Sequence, residues 1–153
     1  MKKSKATYSA FDTAAYYITF KDRTEKEIKD KLKEKGYSSP DIEESIDKLK
    51  RYGYLNDENY TLSYIKSNIN KKGARLISME LAQKGIAREI ISEQFEDVDI
   101  DEVGIIEDVL FRRYRNLDIS DEAQKRKVFG YFIRRGFKHE SISKAIRNYK
   151  NYS

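Results

Sequence analysis

The chain has 153 residues, of which 39% are hydrophobic and 37% charged, and its net charge is +5. One proline and seven glycines are too few for a chain of β-hairpins or for a flexible linker. No apolar run reaches the ~18 residues of a membrane span, and the absence of cysteine excludes disulfides and thiolate chemistry. We therefore expect a helical protein without an export signal, located in the cytoplasm, whose charges cover thin layers of helices.

The first 55 residues contain the signals of three helices. An apolar pattern predicts a helix at about 11–20, after a short basic N-terminus. Thr24 stands three residues before Glu27, which is the capping-box pattern of a helix start. Ser39 followed by Pro40 predicts the next start, with serine as the N-cap and proline in the first helical position.

The rest of the chain repeats this order of signals. Asn56-Asp57 and Ser120-Asp121 are N-cap patterns. Less regular apolar patterns predict helices at about 57–70 and 101–115, each ahead of a further helix pair. The sequence thus predicts about nine helices in three groups.

Three glycines, at positions 36, 85 and 136, each follow a basic residue and precede a bulky apolar or aromatic one, at spacings of 49 and 51 residues. Each is expected to end a helix in the left-handed conformation, which glycine adopts without steric cost. The basic residues Lys35, Lys84 and Arg135 have two interpretations. They interact with the negative end of the helix dipole, or they contact a partner.

Apolar residues recur at fixed distances on both sides of each glycine, as two amphipathic helices require. Such a repeat predicts an all-α fold of three tandem three-helix repeats in an elongated, curved body, with boundaries at 1–55, 56–98 and 99–153. Most of the 12 tyrosines and seven phenylalanines are expected in the core of these repeats. The matched core positions are Ile28, Ile77 and Val128; Leu32, Leu81 and Phe132; Ile42, Ile91 and Ile142; Ile46, Phe95 and Ile146; Leu49, Val98 and Tyr149.

The charge is unevenly distributed along the chain. Residues 1–55 have 13 lysines and arginines against 10 aspartates and glutamates, a net charge of +3. Residues 56–103 have 6 against 10, or −4, and residues 104–153 have 12 against 6, or +6. The C-terminal repeat is therefore predicted to be the basic one.

Clusters of cations in the middle and C-terminal repeats are the candidate binding residues. They suit contact with phosphates or with an acidic protein face, and arginine in particular makes bidentate contacts. The alternative is an ordinary solvated helix face, as the i,i+4 pairs of the first repeat indicate there. The candidates are Lys66, Lys71, Lys72, Arg75, Arg112, Arg113, Arg115, Lys125, Arg126, Lys127, Arg134, Arg135 and Lys138.

Catalytic and cofactor motifs are missing from the sequence. The one histidine, His139, is expected at the surface or at a helix cap, and there is no Cys/His metal set or glycine-rich phosphate loop. The run that starts at Asp97 has Glu102 and Asp108 where a calcium loop needs glycine and glutamate. We expect a protein that is not an enzyme and has neither metal nor cofactor.

The motifs of the chain also resemble those of the RecX family, in order and from about Ala14 to Tyr149. Asn56 departs from the usual aspartate, although both residues cap helices. The matching stretches are Ala14-Ala15-Tyr16-Tyr17-Ile18, Arg23-Thr24-Glu25-Lys26-Glu27-Ile28, Leu32-Lys33-Glu34-Lys35-Gly36-Tyr37, Gly53-Tyr54-Leu55-Asn56-Asp57, Lys72-Gly73-Ala74-Arg75-Leu76-Ile77, Glu80-Leu81, Lys84-Gly85-Ile86 and Arg134-Arg135-Gly136-Phe137.

This resemblance implies tandem three-helix repeats and binding to the RecA recombinase. Proteins of this family lie in the groove of the RecA–DNA filament. They inhibit strand exchange, ATP hydrolysis and coprotease activity, and they act in recombinational DNA repair and the SOS response. The resemblance thus implies a RecA partner, with DNA contacts made within the filament, and we expect a monomer.

Two other functions fit the same residues. Two helices around a glycine turn resemble a helix-turn-helix, so the chain could regulate by binding DNA directly. A helical adaptor for another protein is the second alternative. The three functions differ in whether the effect requires RecA and in whether binding to DNA depends strongly on salt.

Overall fold

The computed structural model describes the backbone of residues 8–152 and the side chains of residues 8–149. Within these residues the secondary structure is nine α-helices and no strand, so the predicted all-α class is confirmed. The short basic N-terminus predicted from the sequence lies mostly outside the described residues. The helices are α1 Ala10–Ile18, α2 Glu25–Glu34, α3 Ser39–Arg51, α4 Asp57–Asn68, α5 Ala74–Gln83, α6 Arg88–Glu96, α7 Glu102–Arg113, α8 Glu122–Arg134 and α9 His139–Tyr152.

Helix α2 begins with the capping box that the sequence predicts. The Thr24 side chain accepts the N–H of Glu27 at 3.1 Å, and the Glu27 carboxylate accepts the N–H of Thr24 at 2.9 Å. The prediction for α3 was wrong by one residue. Ser38, in an extended conformation, is the N-cap and accepts the N–H of Asp41, so Ser39 is already the first helical residue.

The three repeat glycines end α2, α5 and α8 as predicted, with φ of 93°, 91° and 90°. The residue after each glycine donates its N–H to the carbonyl five positions earlier, at 3.2, 3.1 and 3.1 Å. This hydrogen bond defines the Schellman motif, in which a left-handed residue satisfies the free carbonyls of a helix end. Gly53, with φ 79°, ends α3 in the same way, which the repeat analysis did not predict.

The helices form two compact units. One contains the described residues up to Tyr64 together with Leu81–Glu96, and the other contains Ile65–Glu80 together with the described residues from Asp97 onward. In the first unit, α1, α2 and α3 pack around a core that includes Ile28, Leu32 and Leu49. In the second unit, α9 packs against α7 and α8 around a core that includes Phe132.

Most of the matched repeat positions are buried, as predicted. The positions four and eight residues before each glycine are at most 3% exposed, and the position six residues after it is at most 7% exposed. At the remaining positions, Phe95, Val98 and Tyr149 are only half-buried. The repeat is therefore most regular near its glycines, where helix ends fix the side-chain geometry.

The expectation that most aromatic residues belong to the core was too broad. Phe132 and Phe137 are fully buried, and many others, such as Tyr131, are only half-buried. Several line the surface of the first unit, where they contact one another edge to face. The exposed rings are Tyr8, Tyr16, Phe20, Tyr52, Tyr54 and Phe111.

Candidate interaction surface

All thirteen candidate cations lie in the second unit, although they come from two separate stretches of sequence. Counted over the sequence, this unit has 16 lysines and arginines against 11 aspartates and glutamates. The described residues of the first unit have 12 lysines and arginines against 15 aspartates and glutamates. Among the described residues, the fold therefore places the excess of cations in the second unit.

Four of the candidates line one cavity of about 190 Å³ in this unit. Lys71 comes from the turn between α4 and α5, Arg112 and Arg113 from the last turn of α7, and Arg135 from the C-terminal end of α8. Tyr131 of α8 lines the same cavity. We call these five residues the Tyr131 cluster.

The ring of Tyr131 holds two guanidinium groups. The Cζ of Arg113 lies 4.8 Å from the ring centroid, and its Nη1 donates to the Tyr131 hydroxyl at 3.1 Å. The Cζ of Arg135 lies 5.7 Å from the same centroid. Guanidinium groups are attracted to aromatic rings by cation–π interaction, so the ring fixes two like charges close together.

The main chain around Gly73 brings Lys71 to the cluster. The N–H of Gly73 donates to the carbonyl of Arg135 at 2.7 Å, and the Nε of Arg135 donates to the carbonyl of Lys71 at 2.9 Å. A Cβ on Gly73 would lie 2.2 Å from the carbonyl oxygen of Gly136. Only glycine permits this approach, so the turn and the end of α8 are held together.

Arg112 is the one member of the cluster with an acidic partner among the described contacts. It donates to the Asp108 carboxylate at 2.8 and 3.0 Å, one helical turn earlier. The two side chains are 64% and 62% exposed, and exposed pairs of this kind contribute about 0–1 kcal/mol. This pair is therefore weak enough to exchange for a ligand.

The basic residues before the repeat glycines do not behave alike. Lys35 is exposed, which fits the interaction with the helix dipole. Lys84 lies 3.9 Å from Glu27, and its carbonyl accepts the Thr24 hydroxyl at 2.7 Å. Arg135 enters the Tyr131 cluster. Packing within each unit therefore gives the same sequence position three different roles.

The remaining candidates lie outside this cavity. Lys72 pairs with Glu80 at 2.8 and 3.0 Å, with both side chains about three-quarters buried, which gives it a structural role. The main chain of Lys138 donates to Glu102 while its side chain is exposed. The other side chains are exposed, apart from half-buried Lys125, and they are Lys66, Arg75, Arg115, Arg126, Lys127 and Arg134.

Sequence reasoning missed Tyr131 and the cavity. Tyr131 stands four residues before Arg135 on α8, and this i,i+4 spacing is the only local signal of their contact. No sequence distance joins Arg113 to Tyr131, because α7 and α8 meet only in the folded unit.

His139 is exposed and packs on Phe129 at 4.6 Å between ring centroids, which agrees with its predicted surface position. Among the described residues there is no group of three or more His, Asp or Glu side chains that could hold a metal ion. No helix in the described part of the chain is long and apolar enough to cross a membrane.

Comparison with protein-family models finds the RecX family along most of the chain. The RecX first three-helix domain matches residues 10–49, the second matches 56–93 and the third matches 101–146. The three domain models match in the order first, second and third along the chain.

Curated relatives carry the name regulatory protein RecX. The protein of Clostridium beijerinckii is 36% identical over 130 residues, covering 82% of this chain and 61% of its own length. The protein of Streptococcus agalactiae is 34% identical over 136 residues, covering 87% of this chain and 52% of its own length. The chain thus spans between half and two thirds of the length of these relatives.

Solved structures agree with the sequence comparison. The crystal structure of RecX from Lactobacillus salivarius has a TM-score of 0.77 and 27% identity, and the match covers 91% of this chain and 93% of that one. A second structure, of a regulatory protein RecX, has a TM-score of 0.78 and 27% identity, covering 90% and 71%. The fold of tandem three-helix repeats is therefore shared.

Proposed function

Because this chain belongs to the RecX family, we propose that its regulatory role is to bind the RecA–DNA filament and to inhibit RecA. The inhibited activities are recombinase, ATPase and coprotease, in recombinational DNA repair and the SOS response. The protein acts as a monomer in the cytoplasm, without cofactor, metal or catalytic activity of its own. DNA is contacted within the filament.

The observation that supports this proposal most directly is the segregation of charge. The second unit has a net charge of +5 and contains all thirteen candidate cations. A nucleoprotein filament exposes phosphates along a continuous groove, and clustered lysine and arginine give both attraction and faster association.

The test is the rate of ATP hydrolysis by the cognate RecA on single-stranded DNA while this protein is titrated in. We expect inhibition at concentrations of the protein that are too low to coat the bare DNA. A fluorescence titration of the same DNA without RecA sets that threshold.

Two other results would replace the proposal. A RecA rate that stays constant while duplex DNA binds tightly, with a steep salt dependence, would indicate a direct DNA-binding regulator. No effect on RecA and no binding to DNA would leave a helical adaptor for another protein.

A further inference from the structure

The cavity of the Tyr131 cluster combines positive charge with apolar and aromatic walls. Lys71, Arg112, Arg113 and Arg135 stand around about 190 Å³ of space, which the apolar side chain of Val109 and the ring of Tyr131 also line. A solvated helix face spreads its charges, whereas this site gathers four cations from three separate segments of the chain. Such convergence of polar groups on one concave site is typical of ligand sites.

The two central guanidinium groups are held in place before any ligand arrives. Arg113 is fixed by the hydroxyl and ring of Tyr131, and Arg135 by the carbonyl of Lys71 and the same ring. Each interaction uses one N–H group and leaves other donors of the five that a guanidinium carries. Pre-organised donors lose less side-chain entropy on binding, which favours recognition of an oxyanion.

The composition of the cavity favours a nucleotide over a simple carboxylate. Guanidinium groups bind phosphate in a bidentate manner and also stack on the faces of bases. An acidic peptide would use the charges, but it would leave the apolar wall at Val109 without a partner. In a duplex the bases are stacked and paired, so only a single strand can place an unstacked base and its phosphate in such a cavity.

We propose that the Tyr131 cluster is a binding site for one nucleotide of single-stranded DNA, with Arg113, Arg135 and Lys71 on the phosphate and the cavity wall against the base. This inference deepens the proposed function. It rests on that function only in taking the RecA–DNA filament as the place where the protein contacts single-stranded DNA. The site acts independently of sequence, because its contacts are to the phosphate and to the face of the base.

The experiment measures binding of fluorescein-labelled oligothymidylate by anisotropy over a series of salt concentrations, with the full chain and no RecA. The test variant is Arg113→Gln with Lys71→Gln, which removes two charges from exposed side chains and leaves Arg135 in place. The matched control is Arg51→Gln with Lys33→Gln, two exposed cations of the first unit.

We expect the test variant to raise the Kd for oligothymidylate by about tenfold at low salt, and the control to leave it within about twofold. The slope of log Kd against log salt concentration should fall by about 1.4 in the test variant, since each single-strand phosphate contact contributes about 0.7. Tyr131→Phe keeps the ring but removes the hydroxyl that holds Arg113, so it should raise the Kd by a smaller factor.

Three results would overturn the proposal. The first is that the test variant and the control bind oligothymidylate with equal affinity. The second is that duplex DNA binds as tightly as the single strand and loses the same affinity in the test variant. The third is pentaglutamate that competes as well as oligothymidylate, which would assign the cavity to an acidic peptide. RecA is absent from this assay, so its failure is distinguishable from a failure of the filament proposal.

Discussion

At the scale of single residues, glycines of the same conformation have different surroundings. Gly53 and Gly136 both have a positive φ, of 79° and 90°. A Cβ on Gly53 would meet nothing within 4 Å, whereas a Cβ on Gly136 would lie 2.5 Å from the backbone nitrogen of Leu76. Gly136 therefore serves both as a helix end and as a packing surface, and Gly73 serves only as a packing surface.

These surroundings predict different costs for three alanine substitutions. Gly53→Ala should lower the free energy of unfolding by about 1–2 kcal/mol, the cost of a left-handed L-residue. Gly136→Ala should cost a further ~1–3 kcal/mol, because the backbone must move to accept the methyl group. Gly73→Ala should lower the free energy of unfolding by a similar amount through packing alone, because no left-handed conformation is involved. Urea unfolding measures all three, and equal losses at Gly53 and Gly136 would contradict the close packing.

Asp57 predicts a dependence of stability on pH. Burial raises the pKa of its carboxyl above the usual 3.8, and the neighbouring carboxylates of Glu25 and Glu27 raise it further. The hydrogen bond from the N–H of Glu25 and the charge of Lys50 lower the pKa, but by less. The folded state thus binds this proton more tightly than the unfolded chain. The contribution of Asp57 to stability therefore increases as the pH falls through the raised pKa towards 3.8.

Asp57→Asn should remove this contribution. Its carbonyl oxygen can still accept the N–H of Glu25, which lies 3.0 Å from Asp57 in the native chain, but it has no charge to desolvate. We expect the variant to be at least as stable as the native chain near neutral pH. Towards pH ~4 the native chain should gain stability relative to the variant, because only Asp57 takes up a proton. Urea unfolding over that pH range gives the difference between the two chains, and a difference that is constant with pH would refute the assignment.

At the scale of elements, each helix is defined by its ends and by one buried face. Thr24 is fully buried, and its hydroxyl both accepts the N–H of Glu27 and donates to the carbonyl of Lys84. A residue that sequence rules identify as a helix cap is also a link between α2 and the end of α5 within the first unit. The capping box therefore contributes to packing as well as to helix formation.

Helix α5 offers a matched pair of core and surface positions. Leu81 is 0% exposed and Met79, two residues earlier, is 54% exposed. Leu81→Ala should lower the free energy of unfolding by about 2–5 kcal/mol, since it loses buried surface and leaves a cavity. Met79→Ala should change it by no more than about 0.5 kcal/mol. Thermal or urea unfolding that showed the same loss for both variants would refute the burial of this helix face.

At the scale of the whole molecule, the two units differ in charge and in exposed aromatic surface. The first unit displays exposed aromatic rings such as Tyr16 and Phe20, while the second has a net charge of +5. A long-range field of this kind acts on association with a polyanion and is screened by salt within ~10 Å at 0.1 M. Binding to a DNA filament is therefore expected to weaken as salt concentration rises.

The basic segment at the start of α8 gives a test at this scale. Reversing Lys125, Arg126 and Lys127 to glutamate should weaken binding to RecA–DNA filaments and make that binding less dependent on salt, because fewer phosphate contacts release fewer counterions. A control that reverses Lys21, Lys33 and Lys35 makes the same change in net charge in the first unit. Circular dichroism establishes that both variants are folded, and equal affinity for the filament in native and α8 variants would remove these three residues from the site.

The sequence by itself determined the features that depend on short-range geometry. Helix starts such as Thr24, helix ends such as Gly136 and buried positions such as Leu81 follow from capping hydrogen bonds and from the period of 3.6 residues, which act within one or two turns. The error at the start of α3, Ser39 in place of Ser38, arose because both serines can cap and the sequence does not show which one is extended. The three repeats were within reach of the same reasoning, whereas the thirteen candidate cations stay a prediction.

Only the tertiary structure decided which cations act together. Lys72 forms an ion pair with Glu80, while its neighbour Lys71 joins Arg113 and Arg135 around Tyr131. The difference follows from contacts between segments far apart in sequence, since the N–H of Gly73 binds the carbonyl of Arg135 and fixes the turn against α8. Charge along the sequence predicts that a surface is basic, but the direction of each side chain is set by packing between helices.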